Sequence, residues 1–391
     1  MMIIPKLALR NLKGAGIRTW LNVIVLSLSF FTIIWTQGIY EGMGKQAADA
    51  MTEVELGGGQ YWHESYDPYD PLKLQDSHGK VIGRLQALIE DKSATPILVV
   101  QGTIYPGGRM RTVLLKGIDP SQKIVSLPSR FLQAEGEELP VLIGVRMSKN
   151  TGLKKGDSIT IRWRDANGTF DAMDASVVQV MRTSVQTIDV GQLWIPLERL
   201  REMTGMEDEA TLVVVDKNFN DPGIIMGWVF KDLDFLLADL HAMVQSKKVG
   251  GAILYTLLLF FAMLAIFNTQ VLSLFRRRKE MGTLMAMGLA RSKLIQLFTL
   301  EGAMHAVLAA IFAAIYGFPL LLYFAVKGWV MPSMVDSMGF ALGEKLYATY
   351  SASLVVGTVF LVLMVTTIVS FLPTRKISKL KPTDALKGKL T

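Results

Sequence analysis

Apolar and polar positions divide this chain unevenly. Four stretches, 19–40, 249–275, 302–326 and 346–374, contain no Lys, Arg, Asp or Glu, and each holds at least 22 residues. They are bounded by Arg18, Glu41, Lys248, Arg276, Glu301, Lys327, Lys345 and Arg375. At about 1.5 Å of rise per residue, each reaches across a hydrocarbon core about 30 Å thick. A soluble helix of that length keeps charges on its outer face, and these have none. The pattern predicts an α-helical membrane protein with four transmembrane helices, at 19–40, 249–275, 299–326 and 347–373. A large α+β domain, 41–248, separates the first from the second.

Inside that domain the periodicity is mixed. The first span continues as a helical stalk, Glu41–Leu56, which Gly57-Gly58-Gly59 ends. Val81, Leu85, Leu88 and Ile89 share one helical face over Gly79–Lys92, and Pro96 breaks the chain after it. Ile97–Tyr105 and Arg109–Gly117 form a hairpin around Pro106-Gly107-Gly108. Val141–Leu153 is a strand followed by a short helix, and Ser158–Arg164 and Ala175–Arg182 are further strands. Leu193–Pro196 leads into a helix, Leu197–Thr204, and Ala210–Val215 is a strand. Ile224–Ser246 reads as a helix feeding the second span.

Charge orients this layout. Segment 1–18, read as a basic amphipathic helix, carries +4, the loop 276–293 carries +5 and the tail from Arg375 carries +5. Residues 41–249 carry −6, and the loop 327–345 balances to zero. Basic residues collect on the cytoplasmic side of short loops. The expectation is therefore a multi-pass membrane protein with both termini, the 276–298 region and the 374–391 tail in the cytoplasm. The large domain and the short loop 327–346 then face outward. The whole-chain net of +7 is no nucleic-acid signal, because the bases flank spans where lipid headgroups lie. The opening apolar run is too long for a cleaved signal peptide. With no cysteine, disulfide and thiolate chemistry are excluded.

The cytoplasmic loop reads RRRKEMGTLMAMGLARSKLIQLFTLEG over Arg276–Gly302. A short helix, Glu280–Met287, is expected there, with Gly288 as its left-handed cap and a second helix beginning near Arg291. Met281, Leu284, Met285 and Met287 are costly to leave in water and predict a docking surface. The pattern R-[KR]-E-[IM]-G-x-L-x-A-x-G, then L-E-[GA], resembles the coupling region of FtsX/MacB-type ABC permeases. The opening LALRNLKGAGIRTWL and the tail PTRKISKLKPTDALKG resemble that family's two ends, and the 41–248 segment resembles its extracytoplasmic domain. The resemblance implies that Arg278, Lys279, Glu280, Met281, Gly282, Leu284, Met285 and Gly288 contact a cytoplasmic ABC ATPase dimer. It also implies a second permease subunit, identical or related. No G-x-x-x-x-G-K-[ST] sequence occurs in this chain, so ATP and Mg are expected on the partner, with no cofactor and no catalysis here.

Other signals are weaker. Glu301 and His305, four apart, share a helix face, as a proton relay or as a structural pair. Asn268, Thr269 and Gln270 are intramembrane polar residues suited to gluing helices. Pro319 is expected to kink its span. His63, Glu64, Asp67, Asp70, Asp76 and His78 have metal-ligand chemistry but match no metal spacing, and Asp-Pro pairs mark turns. Large apolar groups on the outer halves of the first two spans predict a cleft for acyl chains. They are Phe30, Phe31, Ile34 and Trp35 on one and Leu257, Phe260 and Phe261 on the other. By layout the chain is most similar to the LolC/LolE lipoprotein-releasing subunits, which lift lipoproteins from the outer leaflet to a periplasmic carrier. MacB-like export of peptides or amphipathic compounds and FtsX-like activation of a cell-wall hydrolase are the alternatives.

Overall fold

The computed structural model describes residues 16–133, 138–182, 185–219, 222–330 and 345–379. The expected amphipathic segment before Gly16, most of the loop 327–346 and the tail beyond Lys379 lie outside the described residues. The chain forms two compact units, one of long helices and one containing residues 44–242.

Among the described residues four helices are long and apolar enough to cross a membrane. They are α1 (Ile17–Met51), α7 (Ala238–Arg276), α9 (Arg291–Lys327) and α10 (Ala352–Thr374). Pro319 lies inside α9 without ending it. Packed between them is a small apolar core that includes Leu26, Phe30, Met263, Ile266, Ala306, Ala309 and Val362. Large side chains elsewhere on the helices face outward, as lipid-facing groups do. Past Met51, α1 closes with a π turn, Thr52–Leu56, and Gly57 stops it at φ +60°, where a side chain is disfavoured.

The other unit is built on β1 (Gln60–His63), β2 (Gly79–Lys80), β3 (Ala94–Ile104), β4 (Arg111–Ile118), β5 (Leu139–Gly144), β6 (Ser158–Arg164), β7 (Phe170–Met181), β8 (Gln192–Pro196), β9 (Glu209–Ala210), β10 (Leu212–Val215) and β11 (Trp228–Lys231). Its helices are α2 (Arg84–Glu90), α3 (Val145–Thr151), α4 (Gln186–Gly191), α5 (Leu197–Thr204) and the single turn α6 (Leu233–Leu236). Nine strands run in the order β11-β1-β10-β3-β4-β8-β5-β7-β6, and a further β3–β6 pairing closes six of them into a barrel. The long strand β3 makes this possible. Its first residues pair with β10 and its last three, Gly102–Ile104, pair with β6.

Alternation along these strands fills two cores. Leu98, Val100, Leu115, Leu139, Val141, Leu193 and Ile195 point into the barrel. Ile97, Val99, Leu142, Trp194, Leu212 and Val214 point to the opposite face. A strand buried on both faces loses the polar alternation of a half-exposed one, hence the continuous apolar runs of β3 and β5.

Three expectations need correction. The Gly79–Lys92 helix begins only at Arg84, because Gly79 and Lys80 pair with β9 and Gly83 takes φ +61°. Pro96 does not break the chain. It sits within β3 opposite Val213, where β4 is not yet paired and a missing N–H is tolerated. Ile224–Ser246 is not one helix. Trp228–Lys231 is drawn into the sheet beside β1, and Gly227 at φ +78° makes the turn before it.

Candidate coupling helix and membrane groove

The hairpin after α7 forms from its own sequence. Helix α8 (Arg278–Ala286) follows Arg277, and Gly288 at φ +95° turns the chain. Leu289 N–H donates to the Leu284 carbonyl (3.0 Å) and Gly288 N–H to that of Met285 (3.1 Å), the paired bonds of a Schellman cap. Ala290 then caps α9.

Helical spacing splits the predicted docking residues between two faces. Met281 is 2% exposed and, with Leu294, Phe298 and Ile377, forms a buried cluster against which Leu284 and Met285 pack. Gly282 is buried beside it. These residues hold the hairpin together and are not its outer surface. The outer face carries Lys279, Glu280, Thr283, Ala286 and Gly288, and Met287 is 71% exposed. Arg278 is half-buried, its guanidinium lying 4.4 Å from the Phe275 ring centroid.

The residue that ties this hairpin to the spans is Arg277, which the sequence reading passed over. Its Nε donates to Glu280 Oε2 (2.8 Å), and its Nη1 lies 3.0 and 3.2 Å from the two Glu301 carboxylate oxygens. The guanidinium also lies 4.9 Å from the Phe298 ring centroid. Glu301 is buried, so its charge needs a partner. A lone Glu inside an apolar run was the signal that a nearby arginine answers it.

Glu301 belongs to the third turn of α9, well inside the helix. His305 is buried, and its Nδ1 donates to the Glu301 backbone carbonyl (3.0 Å) and not to the carboxylate. Of the polar trio on α7, Asn268 is exposed, whereas Thr269 accepts from Asn22 Nδ2 (3.0 Å) and Gln270 is buried. Gly302 lets Gln270 and Ser370 approach: a Cβ there would overlap Ser370 Oγ and stand 2.7 Å from Gln270 Nε2.

The apolar groove differs from the predicted one. Phe30, Phe31 and Ile34 of α1 line a groove of about 330 Å³. The opposite walls are α9 (Ala310, Ala313, Ala314, Gly317) and α10 (Val355, Val359). The small α9 residues recur at helical spacing and leave the space that the phenylalanines border. Leu257, Phe260 and Phe261 of α7 are 51%, 60% and 63% exposed and line no part of it. Trp35 stacks on Phe31 and meets Phe324 and Trp329, with centroids 5.8 and 5.5 Å away.

In the sheet unit the acidic stretch is spent on structure. Asp67 and Asp70 accept backbone N–H bonds from Tyr69 and Leu72, His78 pairs with Glu209, and His63 packs edge-on to Trp228. Among the described residues no three such groups gather as metal ligands.

Comparison with known proteins adds a match over the C-terminal part of the chain. The family model of the FtsX-like permease C-terminal domain matches residues 252–382, which span the rest of α7, the α8 hairpin, α9, α10 and the turn after it. No curated protein matches the chain. Among solved structures, the extracellular domain of the noncanonic ABC-type transporter YknZ from Gram-positive bacteria is 14% identical. The match covers 47% of this chain and 94% of that one, at a TM-score of 0.26, a likeness too slight to argue from. The matched residues are those of the hairpin and the three spans around it, so this part of the chain is similar to the C-terminal domain of FtsX-like permeases.

Proposed function

We propose that this chain is the membrane subunit of an ATP-driven complex that transmits force, and that its cargo is a lipid-anchored protein. Permeases of this family work with an ATPase partner. In our reading two such subunits sit on a separate cytoplasmic ATPase dimer, and ATP binding pushes the outer face of α8. Arg277 carries that push into α9 through Glu301. The helices α1 and α7 run without a break from the spans into the sheet unit's sequence, so shifting the spans moves the outward domain.

The observation that carries the coupling is the Arg277 link from Glu280 to Glu301. The cargo reading rests on the groove lined by Phe30, Phe31 and Ile34, whose walls offer an acyl chain apolar contact and little else. In this reading the complex lifts a lipoprotein from the outer leaflet of the bacterial inner membrane to a periplasmic carrier.

The test is to purify the chain with its native partners and identify what copurifies. Acylated proteins, and loss of their ATP-dependent release in Ala313→Trp with basal ATP hydrolysis intact, are the expected results. Stimulation by unacylated peptides alone would mark a MacB-like pump. Capture of a cell-wall hydrolase by the sheet unit, with no lipid-anchored cargo, would mark an FtsX-like scaffold.

A further inference from the structure

A cleft of about 1040 Å³ lies on one face of the sheet unit, the face opposite the barrel interior. Its floor comes from alternate residues of the strands, among them Trp62, Leu114 and Lys231. Its roof is the end of α1, through Met51 and Glu55, and the turn α6, through Phe235. A cleft of this size with an apolar floor and a few polar groups has the form of a small-molecule site.

The polar groups sort by whether they already have partners. Lys116 is bonded to Glu55 (2.6 Å), which also accepts from Gln192. Burial works to raise the Glu55 carboxyl, but the Lys116 ammonium and its hydrogen bond outweigh it and hold the group below the ordinary carboxylate range. Asp67 and Asp239 both bond to Tyr69, Lys73 pairs with Asp70, and Glu64 is exposed at the rim. Two donors remain. Lys231 lies 5.7 and 4.1 Å from the Trp62 and Phe235 ring centroids and has no carboxylate partner among the described residues. The Tyr66 hydroxyl, on a ring packed edge-on to Trp62 at 5.0 Å, likewise has no hydrogen-bond partner among them.

We infer that this cleft binds an amphipathic oxyanion, its carboxylate or phosphate held by Lys231 and Tyr66 and its apolar body laid along Trp62, Leu114 and Met51. The ammonium lies over aromatic faces with no carboxylate beside it among the described residues, and a ligand oxyanion supplies a counter-ion. A bound molecule touches both the sheet and the end of α1. This site is separate from the membrane groove, and its test does not depend on the cargo.

The full chain in nanodiscs, exposed to a ten-carbon carboxylate bearing a diazirine and then digested for peptide mapping, reads the site directly despite background in lipid. Adducts are expected on peptides holding Met51, Trp62 or Phe235. Decanoate should compete them away, while decylamine and decanol should not. If decyl phosphate competes better than decanoate, the natural head group is a phosphate. Lys231→Gln should weaken labelling by roughly ten-fold and Tyr66→Phe by several-fold, while Lys231→Arg retains it. Unchanged melting of Lys231→Gln excludes misfolding as the cause. Adducts confined to the spans, equal competition by decylamine, or full labelling of a folded Lys231→Gln protein would overturn the assignment.

Discussion

Arg277 and Glu301, 24 positions apart, join the start of the α8 hairpin to the third turn of α9, with Nη1 3.0 Å from Oε2. Their side chains are 23% and 9% exposed, so neither charge is well served by water. Removing one partner strands the other, which for buried pairs costs about 3–5 kcal/mol, whereas removing both is far milder. Arg277→Met should therefore destabilise the protein by roughly 3 kcal/mol, and Arg277→Met with Glu301→Met should recover most of the loss. Denaturant unfolding of the purified chain checks the cycle. Equal losses in single and double variants would show that the pair is not coupled. The double variant should fold yet respond poorly to the ATPase.

The two faces of α8 predict opposite phenotypes. Met281→Ala empties a buried site and should cost about 2–4 kcal/mol. Met287→Ala removes an exposed side chain and should leave stability within about 0.5 kcal/mol, while weakening ATPase association in a pull-down. A stability loss at Met287 matching that at Met281 would contradict the assignment of faces.

Gly302 is required by a close approach between helices, not by a turn. Gly302→Ala pushes on both Ser370 and Gln270 and should cost about 1–3 kcal/mol, the range for overpacked cores. Trimming the neighbour, as Gly302→Ala with Ser370→Gly, should restore much of it. Thermal melting of the three variants measures the effect.

The Glu55–Lys116 pair makes the sheet unit acid-sensitive. Glu55 is held below its ordinary value in the folded protein, so its stabilisation is full above the unfolded-state carboxylate value, about 4.3. It is lost as pH falls from there through the lowered folded value. Unfolding followed across roughly pH 6 to 3 should steepen in the wild type relative to Lys116→Met, which lacks the partner that lowers it. Identical pH profiles would exclude the pair as the source.

What could be read in the sequence tracked how local each cause was. Four uninterrupted apolar runs announce long helices without help from neighbours, and so does the β3–β4 hairpin with Pro106-Gly107-Gly108 at its tip. Gly288 likewise marks the turn of the α8 hairpin by cap chemistry alone. Gln60–His63 and Trp228–Lys231 are four residues each and are strands only because they pair with each other, far apart in sequence, with β10 on the other side of Gln60–His63. For the same reason the groove partner of α1 was misread. Phe260 and Phe261 are as apolar as any groove wall, but helix order in space, not hydropathy, decides that α9 and α10 face Phe31. The Arg277–Glu301 link shows the same limit, since a carboxylate in a span demands a cation without naming which.

The most direct test of the force-transmission account replaces Met287 or Met281 with benzoylphenylalanine in cells and irradiates them. We expect the probe at exposed Met287 to yield an adduct with a separate nucleotide hydrolase, and the probe at buried Met281 to yield none. Adducts from Met287 to lipid or to unrelated proteins, with no hydrolase among them, would contradict the account.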